Sequence, residues 1–106
     1  MNVGYFYIIS MLDTNFHKVG VSKTPGLRLQ GLQTSNPLKL IIRMTLYCRN
    51  PRDLEARVLQ RLASYRQQGE WFKMQYEKLY RAVLEESDDL LLDDNNSVLE
   101  EVLLHE

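Results

Sequence analysis

Gly4-Tyr5-Phe6-Tyr7-Ile8-Ile9-Ser10 is dense in aromatic and β-branched residues, the composition of a β-strand. Asp13-Thr14-Asn15 follows with turn chemistry. Phe16-His17-Lys18-Val19-Gly20-Val21 then reads as the returning arm of a hairpin. Gly20 inside that arm marks a bulge or the close approach of another group to the backbone.

Outward from the hairpin, Thr24-Pro25 starts a helix, with Thr24 as cap and Pro25 at the first helical position. Leu29 and Leu32 supply its apolar face, and Ser35-Asn36-Pro37 ends it. Residues 38–48, with Leu40, Ile41, Ile42, Met44, Leu46 and Tyr47, read as a third strand, expected at the centre of the sheet. Asn50-Pro51 caps a second helix in the same way. Its stripe of Leu54, Val58, Leu62 and Tyr65 packs on the sheet, and Gln67-Gln68-Gly69 closes it. Leu79 and Val83 mark a third helix that runs to about residue 86. The order β-β-α-β-α-α predicts an α+β fold, a small, mainly antiparallel three-stranded sheet flanked by helices.

The chain has 106 residues, 44% hydrophobic and 25% charged, values that exclude a disordered chain, a collagen-like chain and a coiled-coil rod. One domain is expected over residues 1–86, followed by an acidic linker and an amphipathic end helix over 87–106. Ser97-Val98-Leu99-Glu100 forms a capping box at the start of that helix, and Val98, Leu99, Val102 and Leu103 form its stripe. The single cysteine, Cys48, excludes an internal disulfide and a cysteine zinc cage and suggests a packed thiol in an intracellular, cytoplasmic protein. No run approaches the ~20 apolar residues of a membrane span, so no membrane partner is expected. Residues 3–12 lack the basic flank and small-residue cleavage site of a signal peptide.

The net charge of −1 hides a division. Residues 1–83 hold all thirteen Lys and Arg against five acids, a net +8, and residues 84–106 hold nine acids and no Lys or Arg. The basic body suits a polyanion such as DNA. The tail suits a solvated terminus, a cover for the basic face, or a contact with a protein partner or a second copy.

The phosphate loop, the dinucleotide fingerprint and the hydrolase nucleophile elbow are absent. His17 and His105 are too far apart for a zinc protease pair. A constellation remains. Tyr7 and Lys18 stand on the two arms of the hairpin, Arg28 on the first helix and Glu55 near the start of the second. Each also has an ordinary role: an aromatic at the core edge, two solvated cations, and a carboxylate favoured by the helix dipole. Glu70, before Trp71-Phe72, reads as a loop carboxylate paired with an arginine or as a second acid near a site.

Residues 4 to 72 resemble the GIY-YIG nuclease superfamily, most closely the branch described as T5-phage-type DNA-binding or meiotically up-regulated gene domains. Tyr5-Phe6-Tyr7 stands where that family opens with Gly-x-Tyr, and Lys18-Val19-Gly20 stands at its second motif. Arg28 keeps the family's spacing from Gly20. Leu32-Gln33-Thr34-Ser35-Asn36-Pro37 and Gly69-Glu70-Trp71-Phe72 look like branch signatures. Glu55 falls in the helix that bears the family's metal-binding glutamate. Four departures are clear: Tyr5 replaces the first Gly, Lys18 the second Tyr, Leu32 stands where the parent family often has His, and the parent family's late Asn has no match.

The resemblance implies hydrolysis of phosphodiester bonds in DNA with one Mg²⁺ or Mn²⁺ ion. Glu55 would hold the metal, Arg28 would face the non-bridging oxygens, and Tyr7 would activate or orient water. Lys18 would assist Tyr7 or bind phosphate as a point charge. Lys23, Arg28, Arg57 and Arg61 are the expected contacts to nucleic acid. The rival reading is a nuclease-derived module with little or no catalysis, which binds DNA or a protein and regulates it. The branch points to a phage or mobile-element origin.

Overall fold

The computed structural model describes residues 2–67 and 70–92. Four strands and three helices follow one another: β1 (Val3–Met11), β2 (Phe16–Ser22), α1 (Pro25–Gln33), β3 (Leu40–Arg49), α2 (Pro51–Arg61), β4 (Trp71–Lys73) and α3 (Tyr76–Ser87). A short 3-10 turn, Ala63–Tyr65, follows α2. The sheet order is β3-β1-β2-β4, antiparallel at every pairing. The α+β reading therefore holds, with β4 as a fourth strand on the expected three. No helix of the described residues is long and apolar enough to cross a membrane.

The expected central position of β3 is corrected: β3 is an edge strand and β1 lies inside the sheet. Its hydrophobic run mimics a central strand because it feeds two cores. Residues 40, 42, 44, 46 and 48 are all buried, which in a regular strand would place them on one face. A bulge at Arg43 breaks the register, so that Ile8 pairs with Met44 but Ile9 with Ile42. Leu40 and Ile42 thus join Tyr7 and Ile9 on one face, under Leu29 and Leu32 of α1. Met44, Leu46 and Cys48 join Phe6, Ile8 and Val19 on the other, under Leu54, Val58, Leu79 and Val83 of α2 and α3.

The stripe expected on the second helix is present, but α2 ends at Arg61, and Tyr65 belongs to the 3-10 turn. Neither Thr24 nor Asn50 caps with its side chain. Asn50 instead adopts φ 50°, a left-handed conformation that Asn tolerates, and its carbonyl accepts the Asp53 amide at 2.9 Å. Gln33 joins α1 to β3: its Oε1 accepts the Leu40 amide at 2.7 Å, and its Nε2 donates to the Leu38 carbonyl at 2.9 Å. Cys48 is a fully buried free thiol, as expected.

The stretch after α3 differs from a plain linker. Leu90 is buried, its carbonyl accepts the Arg49 amide at 3.0 Å, and Leu91 bridges to Cys48. Gln68, Gly69 and residues 93–106, with the capping box and the closing stripe, lie outside the described residues.

Gly20 pairs with Tyr7 in an unbroken hairpin register. A Cβ on Gly20 would run into the Tyr7 ring, at 3.0 Å from Cε1 and nearer still to Cζ and Oη. Close approach, not a bulge, explains this glycine. Gly20→Ala should destabilise the fold by about 1–3 kcal/mol, the usual cost of overpacking. Denaturant melts of single and double variants check this: the cost should vanish in a Tyr7→Ala background, where the ring is gone.

His17 is buried between Ser10 and Met74. The Met74 carbonyl can only accept, so Nε2 donates to it at 2.9 Å, and Nδ1 accepts from the Ser10 hydroxyl at 2.7 Å. Burial pulls the imidazole from 6.5 down to about 4, the Met74 bond opposes this, and Arg43 adds to the lowering. The unfolded chain therefore binds a proton that the folded chain refuses. Stability should be complete above pH 6.5 and fall by about 3 kcal/mol as the pH drops towards 4. Melts across that range should show the slope in the native chain and a flatter one in His17→Gln.

Candidate active site

Of β2, only Phe16, His17 and Lys18 pair with β4. From Val19 to Ser22, β2 therefore has no β4 partner on its outer edge. α1 covers one face of the sheet there and α2 the other. Side chains from both helices reach this open edge and enclose a cavity of about 420 Å³. Tyr7, Lys18, Arg28, Arg52, Glu55 and Glu70 line it, with the Val19-Gly20-Val21 backbone as its floor.

The four residues of the expected constellation thus meet, from β1, β2, α1 and α2. Tyr7 is only 2% exposed. Its ring lies over Gly20, and its hydroxyl makes no hydrogen bond among the described residues. Tyr7 and Lys18 are diagonal neighbours on one sheet face, since Tyr7 pairs with Gly20 and Ile9 with Lys18.

Lys18 is buried at 6% exposure and forms an ion pair with Glu70. That partner corrects the expectation of an arginine for Glu70. The Lys18 ammonium holds the Glu70 carboxyl below the ordinary carboxylate range.

Glu55 is half-buried in the second turn of α2. Burial pushes its carboxyl up, Arg52 and Lys18 pull it down, and the nearby Glu70 charge pushes it up again. Among the described residues, no hydrogen bond or salt bridge holds the Glu55 carboxylate. Three cations and two carboxylates therefore face one small volume, an arrangement that can bind an oxyanion and a hard cation side by side.

Of the expected nucleic-acid contacts, Arg28 lines the cavity, and Lys23 lines a smaller adjoining one of about 140 Å³. Arg57 and Arg61 do not join them. Arg57 bonds Asp89 at 2.8 Å, the Glu86 carbonyl at 2.9 Å and Asp53 at 3.0 Å. Arg61 bonds Glu85 at 2.5 Å and Glu86 at 3.1 Å. Their charges tie α2 to α3 and the turn after it, and these bonds hold both guanidiniums above the ordinary arginine range. This intrachain pairing places both apart from the cavity, which neither lines. Arg52 was overlooked: it lines both cavities. It precedes Glu55 by three residues, the spacing of helix neighbours, so the signal was present in the sequence.

No curated protein and no solved structure matches the chain. The T5orf172 domain matches it from residue 4 to residue 86. That span runs from β1 into the last turn of α3 and holds every residue that lines the cavity. With most of its length and its whole candidate site inside the match, the chain belongs to the T5orf172 domain family.

Proposed function

We propose that this protein is a small metal-dependent DNA nuclease of the GIY-YIG type. The observation that carries the reading is the meeting of Tyr7, Lys18, Arg28 and Glu55 in one polar cavity. Membership of the T5orf172 domain family supports a nuclease-like module, and the motif order of residues 4 to 72 supports the finer reading.

The residues fit a hard divalent ion. Glu55 offers a carboxylate held by no hydrogen bond or salt bridge among the described residues. No group of three His, Cys, Asp or Glu forms a cage among them either. One carboxylate suits Mg²⁺ or Mn²⁺, which keep waters and take phosphate oxygens as further ligands. Such an ion, when bound, would stabilise the charge on the leaving oxygen. Arg28 presents a guanidinium to the non-bridging oxygens, where charge grows. Tyr7, fixed over Gly20, orients the attacking water through its hydroxyl. Lys18 supplies a buried positive charge beside it.

A plasmid-nicking assay with Mg²⁺ or Mn²⁺ tests the proposal. Glu55→Ala and Tyr7→Phe should each lower the rate at least about a hundredfold, the scale of a lost acid–base or metal contribution. The raised Glu55 carboxyl should make the acid limb of the pH profile start above the ordinary carboxylate range, because metal binding needs the ionised form. Cleavage unchanged in Glu55→Ala would refute the nuclease reading.

Binding to duplex DNA should weaken steeply with salt, each phosphate contact steepening the log–log slope by about 0.9. Arg28→Ala and Arg52→Ala should each flatten it, and Arg57→Ala should not. Salt-dependent binding without cleavage would support the rival, a nuclease-derived DNA-binding module. A flat salt response would favour a protein partner.

A further inference from the structure

The Lys18–Glu70 pair is lopsided. The lysine side chain is 8% exposed and the glutamate side chain 67%. Lys18 is fixed in β2 between Ile9 of β1 and Trp71 of β4, and an ammonium buried there needs a countercharge. Glu70 has no such need, since water solvates its carboxylate when it turns away. One neighbour favours that departure. Glu55 shares the cavity and repels Glu70, while Arg66 and Arg28 lie within electrostatic reach and attract it.

Beside the pair stands Tyr7, nine-tenths buried and more, its hydroxyl lining the cavity without a partner among the described residues. A phosphate at this point would meet the Tyr7 hydroxyl, the Lys18 ammonium and the Arg28 guanidinium together. It would also meet Glu70 as a rival for Lys18, because two oxyanions brought close together on one ammonium repel each other.

We infer that Glu70 is a detachable counter-ion: it holds the Lys18 ammonium in place in the free protein and yields it to a phosphate group of the substrate. The inference rests on the anionic substrate proposed above, but not on cleavage. Glu70 is therefore a positioning residue. Its carboxylate stands in for phosphate in the free cavity, and its release couples substrate entry to exposure of the cationic wall.

The test uses the full chain and inorganic phosphate as probe, with a chelator present so that no metal contributes. Glu70→Gln should bind phosphate roughly 1.5- to fivefold more tightly than the native chain, the range of a single exposed ion pair. That gain should vanish in a Lys18→Met background, where no ammonium is contested. In the native chain, the ¹³C resonance of the Glu70 carboxyl should move towards that of an unpaired glutamate as phosphate saturates. This last measurement needs no variant and so holds if a substitution disturbs folding.

Equal affinity in the native chain and Glu70→Gln would overturn the inference, as would a gain that persists without Lys18 or no phosphate binding at all. Lost Mn²⁺ binding in Glu70→Gln at unchanged phosphate affinity would also overturn it, by making Glu70 a metal ligand. If Glu55→Ala leaves nicking unchanged while Glu70→Gln tightens phosphate, the nuclease reading fails and the counter-ion stands.

Discussion

Five successive residues of β1, from Phe6 to Ser10, are buried. A strand with one wet face could bury only every second residue, so both faces of β1 must be covered. α1 covers one and the α2–α3 pair the other. That demand shapes its neighbours. β3 must offer apolar side chains to both cores, and the bulge at Arg43 lets one alternating run do so. β2 must lie flat against β1 where the Tyr7 ring passes over it, and Gly20, lacking a Cβ, allows this.

The site follows from the same layering. A helix on each face of the sheet brings Arg28 and Glu55 to the β2 edge from opposite sides. β4 is only three residues long, so it leaves that edge uncovered where the two helices flank it. A longer β4 would pair the backbone of residues 19–22 and close the cavity. Access therefore depends on how late β4 begins, at Trp71 against Lys18, and Glu70 stands directly before it, paired with Lys18.

Charge is distributed on two levels. The acids that follow the basic body are partly answered within the fold: Glu85, Glu86 and Asp89 hold Arg61 and Arg57. These exposed pairs are individually weak, but they fix the helix pair by geometry, and they withdraw two arginines from the basic surface. The cations of the cavity are different. Arg28 and Arg52 make no hydrogen bond or salt bridge among the described residues, while Lys18 is buried with one exposed partner.

The sequence by itself determined the hairpin, the helices and the class of the fold, because these are local. Aromatic and β-branched runs, turn residues and the stripe of Leu54, Val58 and Leu62 act within a few residues of one another. It also marked Tyr7, Lys18, Arg28 and Glu55 through spacing and motif order, and it marked Gly20 as a place where something comes close. Only the tertiary structure decided what came close there, and it decided the rest through pairings far apart in the chain. The edge position of β3 depends on β1 choosing β2 and β3 as its two neighbours. The bulge at Arg43 is invisible in a run of alternating apolar residues, because the alternation is the same whether one core or two receive them. The capture of Arg57 and Arg61 by α3 and the turn after it, and of Lys18 by Glu70 across 52 residues, cannot be read from a list of charges. An ion pair is a statement about distance, and distance between remote residues is set only when the layers are stacked.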